Sequence, residues 1–75
     1  MLFEKIIVEV FNIPQDAVTD SLALADIPTW DSMVHMLFIV KLEETYHVQF
    51  TGDEIANILT VGDTRSVLIT LGAKI

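Results

Sequence analysis

The stretch from Ser32 to about Tyr46 constrains this chain more than any other. Met36, Ile39, Leu42 and Tyr46 recur at spacings of three, three and four, the repeat of one face of an α-helix. Met33, Leu37 and Val40 make a second apolar stripe, displaced around the same axis. A helix that is apolar nearly all round is normally buried all round. The chain has only 75 residues, and a domain of that size builds one small core. It cannot cover both stripes of one helix, so the second is expected to meet a partner.

The rest of the chain supplies the scaffold. Phe3, Ile6, Ile7 and Val10 repeat with helical spacing over residues 2–11, while Glu4 and Glu9 fall on the other side. The β-branched residues there would also suit a strand. Pro14 disfavours helical geometry at Ile13, so the helix is expected to end near Asn12. Residues 13–31 then form a long connection, with Ile13, Val18, Leu22, Leu24 and Ile27 as apolar anchors over the core. Asp16 and Asp20 read as turn and cap residues within it. Gly52 breaks the chain after Phe50, and residues 53–57 read as a short helical turn that points Ile55, Ile58 and Leu59 inward. A last helix follows, with Asp63 as its N-cap, Val67, Leu68 and Leu71 on its core side and Gly72 as its stop. The expectation is one all-α domain over residues 1–75, an antiparallel bundle of three main helices and one short helix.

Composition narrows the function classes. Eleven acidic against four basic residues give a net charge of −7, which repels phosphate backbones and argues against nucleic acid as a partner. It favours partners with basic patches instead. There is no cysteine, hence no disulfide framework and no thiolate metal site, as fits a cytoplasmic protein. The first residues, Met1 to Lys5, lack the pattern of a signal peptide, and the longest apolar run, Met36 to Val40, is far short of a membrane span. A soluble monomer is expected. His35 and His47 stand alone, without the partners of a zinc site, and neither a calcium loop nor a glycine-rich phosphate loop occurs.

Thr29-Trp30-Asp31-Ser32-Met33 forms the polar step into the second helix. Asp31 and Ser32 can both accept bonds from unpaired N–H groups there, and a serine at a helix start is ordinarily a cap. His35 follows Ser32 by three residues, which invites a Ser-His nucleophile. Such a pair needs an orienting third group, an oxyanion site and a pocket, and no G-x-S-x-G elbow is present. Glu43 and Glu44 sit near the carboxyl end, where the helix dipole disfavours acids.

Taken whole, the pattern resembles an acyl carrier protein over nearly all of the chain. Asp31-Ser32-Met33 stands where that family has Asp-Ser-Leu. Leu42-Glu43-Glu44-Thr45-Tyr46, Val48-Gln49-Phe50 and Thr60-Val61-Gly62-Asp63 look like its later landmarks, at the usual spacings. The resemblance implies a carrier, not an enzyme. Ser32 would bear a 4′-phosphopantetheine arm taken from coenzyme A by a phosphopantetheinyl transferase, whose magnesium supplies the activation. An acyl, aminoacyl or related group would ride on the arm's thiol as a thioester, loaded by a ligase and passed to downstream transferases or synthases. Asp31, Met33, Leu37, Val40, Glu43 and Glu44 would form the partner face. The chain departs from members that serve fatty-acid synthesis at Val34, Leu37, Gly52 and Ala56, positions where acids are common. These departures favour a specialised pathway and a more apolar dock. An aminoacyl or peptidyl carrier and an unmodified interaction module remain the alternatives.

Overall fold

The computed structural model describes residues 2–75, and Met1 lies outside the described residues. Helix α1 spans Leu2–Phe11 and stops at Asn12, whose φ of 55° is left-handed. Asparagine tolerates that conformation, and Pro14 prevents any continuation. Phe3, Ile6 and Ile7 are buried as the periodicity predicts. Val10 is only partly buried, and Phe11, one turn beyond Ile7, takes the innermost place.

Phe11 is buried because of what faces it on α2, Ser32–Tyr46. The Phe11 and Phe38 rings meet edge to face, 5.1 Å between centroids at 64°, a contact worth about 0.5–1.5 kcal/mol beyond the area it buries. Phe38, Ile39 and Leu42 form the inward face of α2, while Tyr46 is partly buried. Met36 departs from the inner stripe assigned to it: it is 45% exposed. At 3.6 residues per turn it stands about 160° from Phe38 and about 120° from Leu42 around the axis. It joins Met33, Leu37 and Val40 outside. His47 closes α2 in a left-handed conformation (φ 56°).

The short helix α3 spans Gly52–Asn57, so Gly52 begins the helix rather than breaking the chain before it. Thr51 is the cap, and it exchanges hydrogen bonds with Glu54 in a capping box (3.1 and 2.8 Å). Ile58 is buried and Ile55 partly so, but Leu59 is 65% exposed, contrary to its expected inward position. The reason is local. The backbone runs extended here, Leu59 O accepting from Leu24 N at 2.9 Å and Ala23 pairing with Thr60. Neighbouring side chains therefore point to opposite sides, Ile58 inward and Leu59 outward.

Helix α4 spans Val61–Thr70. Its cap is Thr60, not Asp63; Asp63 lies three residues on and completes a second capping box, with both bonds at 3.0 Å. The T-x-x-D spacing puts a hydroxyl before the helix and an acid in its first turn, which the dipole favours. Leu68 is fully buried, with Val67 and Leu71 packed against the core. Gly72 (φ 92°) turns the chain out of the helix, and Ala73 N reaches back to Leu68 O. The four helices make the small all-α bundle that the sequence predicts. Among the described residues there is no strand beyond the single bridge, and no helix is long and apolar enough to cross a membrane.

The long connection is held by the other end of the chain. It makes two 3-10 turns, Gln15–Ala17 and Leu24–Asp26, and buries Leu24 and Ile27. Val61 N and Gly62 N donate to Leu22 O and Asp20 O. A side chain at Gly62 would put its Cβ 3.0 Å from Asp20 O, a tight contact that the connection would have to relieve by shifting a few tenths of an ångström. Arg65 completes the clamp. It bonds Glu4 on α1 at 3.1 Å and Asp20 in the connection at 3.3 Å, with its guanidinium 4.8 Å from the Phe3 ring centre.

Burial pushes the Glu4 carboxyl up, but the bond and charge of Arg65 outweigh it and hold it below its ordinary value. One Glu4 oxygen, Oε1, is buried without a partner, so Arg65 is its main compensation. A depressed carboxylate adds stability above its unfolded pKa and loses it as pH falls through the folded one. Arg65→Ala should therefore cost about 1–2 kcal/mol at neutral pH, measured by urea unfolding. The difference from the parent should shrink as the pH falls through the folded pKa of Glu4 and the carboxyl takes up its proton.

Candidate functional site

Each residue from Thr29 to Asp31 is placed by a separate bond. The Thr29 hydroxyl donates to Phe11 O at 2.6 Å, satisfying a carbonyl at the end of α1 and tethering the connection there. Trp30 N donates to Ile27 O at 2.9 Å. Asp31 is extended (φ −153°, ψ 178°), its carboxylate accepts from Val34 N at 2.8 Å, and its carbonyl accepts the first helical bond from His35 N. Asp31 is thus the N-cap, and Ser32 is the first residue inside α2.

This corrects the simplest expectation for Ser32. The capping position is taken by its neighbour, and Ser32 is exposed. Its hydroxyl is left accessible at the positive end of a 15-residue helix. The N–H groups of Ser32 and Met33 have no carbonyl within the helix to bond.

His35 does not serve Ser32. Its Nδ1 accepts from Trp30 Nε1 at 3.4 Å, and its Nε2 lies 3.3 Å from Ile55 O beyond the middle of α3. The two rings pack edge to face, 6.0 Å apart at 63°. With both nitrogens engaged away from the serine, a Ser-His nucleophile has no base. The imidazole instead spans an apolar groove of about 320 Å3 between the connection and α3, walled by Leu24, Trp30, His35, Ile55, Ile58 and Leu59. Trp30 and Ile55 were not legible as its lining, because nothing in their spacing shows that α3 folds back against the start of α2.

The outward face of α2 carries Met33 (74% exposed), Met36, Leu37 (59%) and Val40, with Asp31 at its start and Glu44 near its end. Met36 is the member that the stripes missed. Glu43 is half-buried, and its Oε2 accepts from Phe50 N at 2.9 Å, so it also holds the segment after α2 against the helix.

No family model and no curated protein matches the chain. Solved structures do. The holo acyl carrier protein of Geobacter metallireducens, determined by solution NMR, is 30% identical, with a TM-score of 0.83 over 93% of this chain and 80% of its own. This chain belongs to the acyl carrier protein family. A second structure, assigned as an acyl carrier protein from Mycobacterium tuberculosis, is 22% identical and shares the fold at a TM-score of 0.84 over 92% of both chains. Acyl carrier proteins are carriers rather than enzymes, in keeping with a serine that has no base beside it.

The cap gives a direct prediction. Asp31→Ala should lower stability by about 1 kcal/mol through the lost bond to Val34 N, whereas Asp31→Asn should retain most of it. Urea unfolding of the three proteins measures this. If Asn and Ala behave alike, the charge of Asp31 matters to α2 more than its hydrogen bond does.

Proposed function

We propose that this acyl carrier bears its cargo through Ser32, on a covalently attached 4′-phosphopantetheine arm. The observation that carries the reading is the division of labour at the start of α2: Asp31 caps the helix and Ser32 stays exposed beside it. A phosphodiester at this hydroxyl would face the N–H groups of Ser32 and Met33 and the positive end of the dipole. Beyond the Asp31 cap, whose carboxylate is bonded to Val34 N, the first turn of α2 carries no acid. When bound, the arm supplies a thiol, which this cysteine-free chain lacks, to hold an acyl group as a thioester. That the Geobacter relative is a holo form supports the same reading.

The chain's own residues would do three things. Asp31 fixes the serine at the helix start and offers a carboxylate to the transferase. Met33, Leu37 and Val40, joined by Met36, give enzymes an apolar dock. Glu44, with Glu43 behind it, puts negative charge at the far end of that dock, for partners with basic rims. The partners are a cytoplasmic phosphopantetheinyl transferase, a loading ligase and the transferases or synthases of a specialised pathway. An acyl cargo is the first choice; an aminoacyl or peptidyl cargo uses the same chemistry, and loading assays with the two kinds of ligase separate them.

Incubation with coenzyme A, magnesium and a broad-specificity phosphopantetheinyl transferase should raise the intact mass by one phosphopantetheine. Ser32→Ala should abolish the gain. A gain that persists in Ser32→Ala would place the arm elsewhere, and no gain in the parent would overturn the attachment.

The exposed apolar face supports one further reading, an unmodified module that works by binding alone. The two are told apart by paired variants. Leu37→Glu should leave arm attachment within about threefold of the parent while weakening transfer to a downstream enzyme by at least about tenfold, the scale of one buried apolar anchor. If function survives Ser32→Ala and is lost only in Leu37→Glu, the binding module is correct.

A further inference from the structure

Sulfur is unevenly placed in this chain. There is no cysteine, and the three methionines are Met1, Met33 and Met36. The two among the described residues both lie on the outer face of α2, Met33 74% and Met36 45% exposed. The inward face of the same helix is Phe38, Ile39 and Leu42, and neither methionine packs against that core. A thioether is soft and polarizable, and a mild oxidant converts it from an apolar group into a polar one. Leu37 and Val40, the other members of the outer face, have no such chemistry. Oxidation would therefore alter the surface of α2 and spare the interior.

Position distinguishes the two methionines. Met33 follows the exposed Ser32 directly and is the most exposed large apolar side chain among the described residues. Leu37 lies one turn further on, on the same side of the helix. An enzyme that acts on the Ser32 hydroxyl therefore meets the Met33 side chain beside it. Met36 is less accessible and stands a turn away from the serine.

We propose that Met33 is a reversible modification site, oxidised by hydrogen peroxide to the sulfoxide, with Met36 following more slowly. The sulfur lone pair attacks one peroxide oxygen and the O–O bond breaks. That oxygen stays on sulfur, and the other leaves with both protons as water. Sulfur gives up two electrons and the peroxide takes them. A thiol-dependent sulfoxide reductase reverses the step, releasing the oxygen as water while two thiols become a disulfide. An S=O group at Met33 would have to be desolvated by any enzyme that covers it, and a polar group left unpaired in a contact is costly. That consequence rests on the reading of Ser32 and the outer face of α2 as the place where enzymes act; the oxidation itself does not.

The protein without any arm attached serves for the test, so that no thiol competes for the oxidant. After brief treatment with dilute hydrogen peroxide, peptide mass mapping should find one added oxygen on Met33 before Met36, with Met1 counted apart. The urea unfolding midpoint should stay close to that of the untreated protein. Attachment of phosphopantetheine by a broad-specificity transferase should slow at least about fivefold, the low end for an unpaired polar group in a contact. Sulfoxide reductase with dithiothreitol should restore the rate. Each variant is compared with its own untreated form: peroxide should leave the rate unchanged in Met33→Leu and still slow it in Met36→Leu. A parent that takes up no arm even when untreated overturns the attachment reading, and the order of oxidation then decides the site alone. Met36 oxidised before Met33, or an oxidised parent that takes up the arm as fast as the untreated one, would overturn the site.

Discussion

The hydrogen bond from Val34 N to the Asp31 carboxylate, 2.8 Å long, fixes the start of the helix on which the site is built. It decides that α2 starts at Ser32. Each residue of an α-helix advances about 100° around the axis, and the packing of Phe38 against Phe11 fixes which face of the helix turns inward. From this start, Phe38, Ile39 and Leu42 point into the core and Met33, Met36, Leu37 and Val40 point out of it. His35 is turned toward Trp30 and Ile55 instead of toward the serine. The exposed hydroxyl follows from the cap, and the apolar face and the histidine bridge follow from how the helix behind it packs.

The scaffold behind that cap is small and makes few concessions to solvent on its outer face. Phe11 and Phe38 fill the centre, and the connection is held down by Leu24, Ile27 and the bonds from α4. The outer side chains of α2 are what this core cannot reach. Covering one of them is worth about 1.5–3 kcal/mol at most, and association has its own cost in lost freedom. A contact of this kind binds transiently. That suits a carrier, which must leave one enzyme before it reaches the next.

Much of this was legible in the sequence, and the failures have physical causes. The bounds of α1 and α2 followed from Pro14, Asp31 and the 3.6-residue repeat, because local sterics and capping decide them. Met36 was misplaced because two adjacent stripes cannot be assigned to inside and outside by spacing alone; Phe38 opposite Phe11 decides it. Leu59 was misplaced because its segment runs extended against the connection, and a helical reading cannot show a strand-like alternation. Asp63 and Gly52 were each read too literally: in both cases a threonine upstream takes the cap and the helix starts earlier. Ser32 was singled out by its place in a family-like pattern. Its freedom from capping, and the engagement of His35 elsewhere, needed the fold.

The central claim is that Ser32 is a tether for a group on which other enzymes act. The most direct measurement is tandem mass spectrometry of the protein isolated from its own cells. The account predicts a phosphopantetheine, free or loaded, on the peptide that contains Ser32, and its characteristic ejection on fragmentation. A population that is wholly unmodified in cells making an active phosphopantetheinyl transferase, or a modification mapped to another residue, would contradict it.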